Sequence, residues 1–341
     1  MAEAQGGGDE VIGIVGRIGA SVIRYSVVMR RRAPWARPRC ALVWLLPILL
    51  LVTASGALAQ ERLAIVTSTT DLKALVEAVG GQRVTVTSIA PPTMDAEDYQ
   101  PKPQDVTRVT GARLVVRVGL DYDLWFDRLL AQAGRANLMR GQAGYADASY
   151  AIAVLEVRGA SVGSGDGHAH GNGNPHYWLD PKNAEIITDT ILEALGRLDP
   201  AHAGEFERNR QNFLSMLEAK LANWEGRMSA LQGRTLVAYH NSWAYFARRF
   251  RLDIAGFIEP KPGVQPSPAH LAAIIRLMRE KNIGMIIREP HEPERDVAFL
   301  AAKTGAAIVV LAASVGATPQ AKDYISLFDA NVDALVGRAV Q

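Results

Sequence analysis

AHAGEFERNRQNFLSMLEAKLANWEGRMSAL, residues 201–231, is the stretch that decides the fold. Phe206, Phe213, Leu217, Leu221, Trp224, Met228 and Leu231 recur at mostly three- and four-residue steps, the period of one face of an α-helix, and only Gly204 and Gly226 interrupt it. At 1.5 Å per residue such a helix is on the order of 45 Å long. That is too long for one compact α/β unit. Residues 199–232 therefore read as a stiff connector between two bodies, with a pair of ordinary core helices as the alternative.

On either side of the connector, short β-branched runs alternate with amphipathic ones. Before it, residues 62–68, 83–90 and 113–119 read as strands, with helices over 71–79, near 104–110 and over 123–134. A helix over 181–198 opens at Pro181, where the missing N–H costs nothing. After the connector, strands over 235–240, 253–259, 284–289 and 307–312 alternate with helices over 242–251, 269–281, 295–304 and 323–340. Alternation of this kind makes parallel sheets. The predicted fold class is α/β: two parallel-sheet lobes, 60–198 and 233–341, linked by one long α-helix.

Residues 1–59 stand apart. Arg30, Arg31, Arg32, Arg37 and Arg39 precede an apolar run over 41–52, and Ala57-Leu58-Ala59 follows, the pattern of a cleaved secretory signal. The apolar run is well short of the roughly 20 residues a spanning helix needs. Met29 sits directly before the arginines, so residues 1–28 are expected to precede the true start. Cys40, the only cysteine, lies inside the predicted signal, and the exported chain would hold no disulfide and no thiolate ligand. The whole chain has a net charge of +2; without the seven Arg and three acids of residues 1–59 the balance is 30 basic to 32 acidic. No basic excess is left for a nucleic-acid partner. A monomer secreted into the periplasm is the expectation.

In open parallel sheets the ligand crevice lies beyond the carboxyl ends of the strands. That rule selects His240 after TLVAYH, Glu289 after GMIIRE, Glu259 after DIAGFIE, and Glu97 in the loop that follows RVTVTSIA. His176 joins them from NPHYWLDP, residues 174–181, where Pro175 and the aromatics Tyr177 and Trp178 leave one imidazole little freedom. Two imidazoles and one or two carboxylates suit a borderline divalent cation such as zinc, or manganese if oxygen ligands dominate. His168 and His170, with Asp166, lie in GDGHAHGNG, residues 165–173, a glycine-rich loop that could capture a metal transiently. His202, His270 and His291 read as surface residues.

The chain resembles the zinc- and manganese-binding extracytoplasmic solute-binding proteins of ABC importers over nearly all of residues 61–341. DAEDYQPKPQDV (95–106) is similar to that family's first-ligand segment, NPHYWLDP to its second and AYHNSWAYFARRF (238–250) to its third. IEPKPGVQPSPAHL (258–271), REP (288–290) and AAKTGAAIVVL (301–311) resemble its second-lobe framework. The resemblance implies a periplasmic receptor, not an enzyme, that binds Zn2+ or, next, Mn2+ and passes it to an ABC transporter membrane permease. It carries His176 and His240 over as ligands. Two departures stand out: Glu97 occupies the place of the usual first histidine, and Ala312 and Ala313 stand where a final aspartate is common. Glu97 and Glu289 are the candidates to complete the set, with Glu259 and Asp323 in reserve. A secreted zinc-dependent hydrolase, or a scaffold that has lost metal binding, is the alternative; the hydrolase lacks an HExxH-type helix.

Overall fold

The computed structural model describes residues 62–156 and 173–339, together with an antiparallel strand pair, β1 (Gly13–Ile18) and β2 (Ser21–Ser26), in a separate unit, Met1–Ala59. The basic and apolar parts of the predicted export signal, and the loop bearing Asp166, His168 and His170, lie outside the described residues.

In the main unit the β-branched runs pair as parallel strands. The first sheet has the order β4-β3-β5-β6, built from β3 (Leu63–Thr67), β4 (Val84–Ser88), β5 (Leu114–Arg117) and β6 (Tyr145–Asp147). Helices α1 (Thr70–Gly80), α2 (Pro103–Thr110), α3 (Leu124–Ala133) and α4 (Ala184–Leu198) belong to this lobe. The second sheet has the order β10-β9-β7-β8, from β7 (Thr235–Ala238), β8 (Asp253–Phe257), β9 (Met285–Arg288) and β10 (Ala307–Val310). Helices α6 (Ala244–Phe250), α7 (Pro268–Glu280), α8 (Glu294–Thr304) and α9 (Tyr324–Ala339) complete it. In both sheets the second strand in sequence lies on one side of the first and the third on the other. The direction in which successive strands are added therefore switches between β3 and β5 and again between β7 and β9, which opens a crevice at each carboxyl edge.

The connecting helix is α5 (Ala203–Met228), 26 residues or about 39 Å. Turns of 3-10 helix, Pro200–His202 and Ser229–Leu231, flank it and make up the rest of the expected length. Phe206, Phe213, Leu217, Trp224 and Met228 are buried along it, against α1 and α4 of the first lobe and α9 of the second. Trp224 donates through Nε1 to Asp329 Oδ1 at 2.9 Å, and its ring stands 5.3 Å from Phe328. In the main unit one strand was not foreseen: β6 is only three residues long, too short for a readable pattern, and is a strand because its backbone pairs with Val115–Arg117.

The two sheets do not have separate interiors. A single cluster of buried apolar residues runs from Leu63 and Val116 through Trp178, Phe213 and Trp224 to Leu311 and Leu335, and a smaller cluster around Ile258, Ile286 and Leu300 fills the other face of the second sheet. Hydrogen bonds cross between the lobes as well. Trp178 Nε1 donates to Ala313 O at 2.8 Å, Tyr324 Oη to Trp178 O at 2.6 Å, and Val315 N to Asp71 Oδ1 at 2.8 Å. Ala312 and Ala313, where an acid was sought, are thus buried packing residues. Among the described residues no helix is long and apolar enough to cross a membrane.

Candidate metal centre

NPHYWLDP is held from both sides. Tyr177 Oη donates to Val118 O at 2.7 Å, Tyr245 Oη to Asn174 O at 2.9 Å, and Arg249 makes two bonds to Asp180, at 2.7 and 3.1 Å. His176, buried, sits at the start of the 3-10 turn Tyr177–Leu179, with its ring 5.3 Å from both Tyr122 and Trp178. Asn174 fixes its tautomer. The Asn174 amide Nδ2 faces two acceptors, Glu156 Oε2 at 3.0 Å and the Asn241 carbonyl at 2.9 Å, so Oδ1 must point the other way. Oδ1 accepts from His176 N at 3.0 Å and lies 3.1 Å from Nδ1, which therefore carries the proton and leaves Nε2 as the acceptor nitrogen.

His240 follows β7 where the strand-end rule places it, and the structure brings it to His176: the ring centroids are 5.5 Å apart. Its Nδ1 is 2.5 Å from Glu259 Oε2, and Glu259 is itself held by Gly263 N on Oε1 at 2.8 Å. Burial alone would lower the pKa of His240; the Glu259 hydrogen bond and the carboxylates of Asp95, Glu259 and Glu289 outweigh it and push the value up to about 10. A carboxylate behind Nδ1 is the arrangement that makes Nε2 a more basic metal ligand.

The third member is Asp95, which the sequence reading passed over. Its Oδ1 accepts from Glu97 N and from Tyr122 Oη, both at 2.9 Å, and its Oδ2 lies 3.9 Å from His240 Nε2. Burial would raise its pKa, but His240 and His176 hold it below the usual carboxylate range. Asp95, His176 and His240 each offer one ligand atom, all within 4.8 Å of one another, and among the described residues this is the one group of three or more His, Cys, Asp or Glu so arranged. Tyr122, which orients Asp95, is delivered by a turn in which Gly119, Leu120 and Asp121 all have positive φ. A Cβ at Gly119 would meet Asp147 Oδ1 at 2.2 Å, so glycine is required there. Arg117 and Asp123 clamp the same turn with a buried ion pair at 2.6 Å.

The other candidates fall differently. Glu97 and Glu289 are not part of the close group. Asp95 caps the 3-10 turn Ala96–Asp98, and Glu97, inside that turn, lines the cleft beside the group; burial, then the Asp95 charge, raises it to about 7. Glu289 is buried beneath the site, accepts from Ser242 Oγ, and is raised to about 7 chiefly by burial. Glu259 stands behind His240, one shell away. Asp323 receives Ser326 N at 2.8 Å at the start of α9 and lines a different groove. Of the histidines read as surface residues, His202 bonds Asp199 and His270 bonds the Phe257 carbonyl. His291 instead walls the cleft, with Nδ1 3.7 Å from Glu289 Oε2. Glu292, unforeseen, lies one turn past Glu289 and accepts from its backbone N–H at 2.5 Å.

The cleft has a volume of about 250 Å³, and its lining includes Asp95, Glu97, Asp98, Glu259, Glu292, His240 and His291, without Lys or Arg. Such a lining attracts cations and gives a desolvated divalent ion the anionic partners it needs. Two imidazole nitrogens and a carboxylate oxygen are a donor set for a borderline cation.

The sequence profile of the family described as ZnuA, zinc-uptake complex component A periplasmic, matches residues 65–337. The chain is 25% identical over 280 residues to the iron-binding protein YfeA of Yersinia pestis, covering 81% of this chain and 86% of that one. It is likewise 25% identical over 282 residues to the manganese-binding lipoprotein MntA of Halalkalibacterium halodurans, covering 81% and 88%. A crystal structure of ZnuA superposes with a TM-score of 0.70 at 26% identity, over 81% of this chain and 99% of the other.

Proposed function

Since the chain belongs to the periplasmic zinc-uptake component A family, whose members are solute-binding receptors and not enzymes, we propose that it binds a divalent transition metal ion as cargo between Asp95, His176 and His240 and delivers it to the membrane permease of an ABC importer. One observation carries the reading: three side chains from segments 64 or more residues apart in sequence bring their ligand atoms within 4.8 Å, and two of them, Asp95 and His240, line an acid-rich cleft. Delivery to a permease requires an extracytoplasmic location, which agrees with the export signal read over residues 1–59. Zinc is the favoured cargo because two of the three donors are imidazoles. Manganese is the second reading, favoured by Asp95 and by the oxygen donors of Glu97 and Asp98 at the same cleft.

Isothermal titration of the metal-free protein with zinc and with manganese tests this. His176→Ala, His240→Ala and Asp95→Ala are each expected to weaken zinc binding by at least about tenfold, and manganese is expected to depend most on Asp95. Zinc affinity unchanged in both histidine variants would overturn the assignment.

A further inference from the structure

Glu156 takes no part in the cleft lining, yet its position relative to the two histidines is specific. A single oxygen, Oε2, accepts the side-chain amide of Asn174 at 3.0 Å and that of Asn241 at 2.8 Å. Asn174 lies two residues before His176 and sets its ring through Oδ1. Asn241 directly follows His240, and its carbonyl receives the second Asn174 amide hydrogen at 2.9 Å. Both asparagines are buried. Glu156, Asn174 and Asn241 thus form a closed triangle, and each asparagine is tied to the backbone of one of the two histidine segments, one from each lobe.

The backbone at Glu156 is shaped to hold this corner. Its φ is +57°, in the left-handed region that non-glycine residues seldom occupy. Neighbouring bonds keep it there: Asn174 N donates to Leu155 O at 2.8 Å, Leu155 N donates to Tyr245 Oη at 3.0 Å, and Tyr245 Oη donates on to Asn174 O at 2.9 Å. A strained residue whose preceding neighbour, Leu155, is bonded through both N–H and carbonyl, and whose own carboxylate is spent on two buried amides, is more than a solvated loop acid.

The geometry points to Glu156 as a positioning residue for the metal site. It acts through Asn174 and Asn241 to fix the His176 ring and the spacing of His176 from His240, and it does so as a hydrogen-bond acceptor, not as a ligand or a charge. This rests on the reading of His176 and His240 as ligands. Without the acceptor, one hydrogen of each asparagine amide loses its partner, Asn174 is freer to rotate, and the His176 Nδ1–H bond weakens.

Glu156→Gln and Glu156→Ala separate the roles, because a glutamine carbonyl oxygen can still accept from both amides while alanine cannot. In zinc titrations of the full-length protein, Glu156→Ala is expected to bind about tenfold more weakly, and Glu156→Gln within about threefold of wild type. In metal-free protein, nuclear magnetic resonance should show the His176 Nδ1–H exchanging with solvent faster in Glu156→Ala than in the other two. Thermal unfolding of both variants checks that the fold is intact. Unchanged affinity and exchange in Glu156→Ala would overturn the inference, as would Glu156→Gln binding as weakly as alanine, which would assign the effect to charge. Wild type that fails to bind zinc would remove the metal-site reading, whereas the exchange measurement still decides whether Glu156 sets the His176 ring.

Discussion

His240 and Glu259 show at the level of single residues what a strand-end rule can and cannot assign. The rule placed both in the cleft, and both are there, but it could not say which faces the cation. Nδ1 of His240 is 2.5 Å from Glu259, which puts Glu259 behind the imidazole, in a position to support the proposed ligand. Asp95 and Glu97 pose the same problem two residues apart. Asp95 caps a 3-10 turn and Glu97 N bonds back to it, which turns the aspartate toward the imidazoles. An aspartate before A-E-D is a capping signal that could have been read; which carboxylate then points inward depends on Tyr122, far away in sequence, and could not. Replacing Glu259 with Gln keeps the size and an acceptor but removes the charge behind His240. Zinc affinity, measured by competition with a chromophoric chelator, should fall about 10- to 100-fold in Glu259→Gln. Full affinity in Glu259→Gln beside a lost affinity in His240→Ala would show that the carboxylate is not needed.

Helices and strands were legible where local pattern is sufficient, as for α5 with its apolar stripe, and illegible where pairing decides, as for β6. Contacts between elements are less legible still, and α1 gives the clearest case. Its first turn carries Asp71, fully buried, whose Oδ1 accepts Val315 N from the second lobe, with Ser314 beside it. Burial raises this carboxyl from 3.8 to about 7, against the opposing pull of those hydrogen bonds. The folded value lies above the unfolded one, so the fold favours the protonated form. That contribution is complete below pH 4 and is lost as pH rises through about 7, a span worth on the order of 4 kcal/mol. Asp71→Asn keeps an acceptor for Val315 N and cannot ionise. Urea denaturation at pH 5 and pH 8 should therefore show the variant gaining stability relative to wild type as pH rises. A difference between the two proteins that is the same at both pH values would mean that Asp71 keeps an ordinary pKa.

For the molecule as a whole, the repeated parallel-sheet alternation made two lobes readable, but not the degree to which they share one interior. Trp178 is the reason. It lies in the histidine segment of the first lobe, yet its indole donates to Ala313 O, its carbonyl accepts from Tyr324, and it belongs to the same apolar cluster as Trp224 and Leu335. Opening the lobes by a wide hinge would strip water-free contacts from that cluster and break these bonds together, while α5, about 39 Å of continuous helix packed on both lobes, supplies no flexible point about which to turn. Binding should therefore proceed by local adjustment: ligand atoms now within 4.8 Å need to draw in to the roughly 3.3 Å separation that bonds of about 2 Å around a tetrahedral ion impose. Small-angle scattering of residues 60–341 with a chelator and with one equivalent of zinc should give radii of gyration that agree within about 0.5 Å, near the roughly 19 Å expected of a compact body of that length. A contraction of 1 Å or more on adding zinc would require the lobes to swing, and with it a core between them that opens in solution.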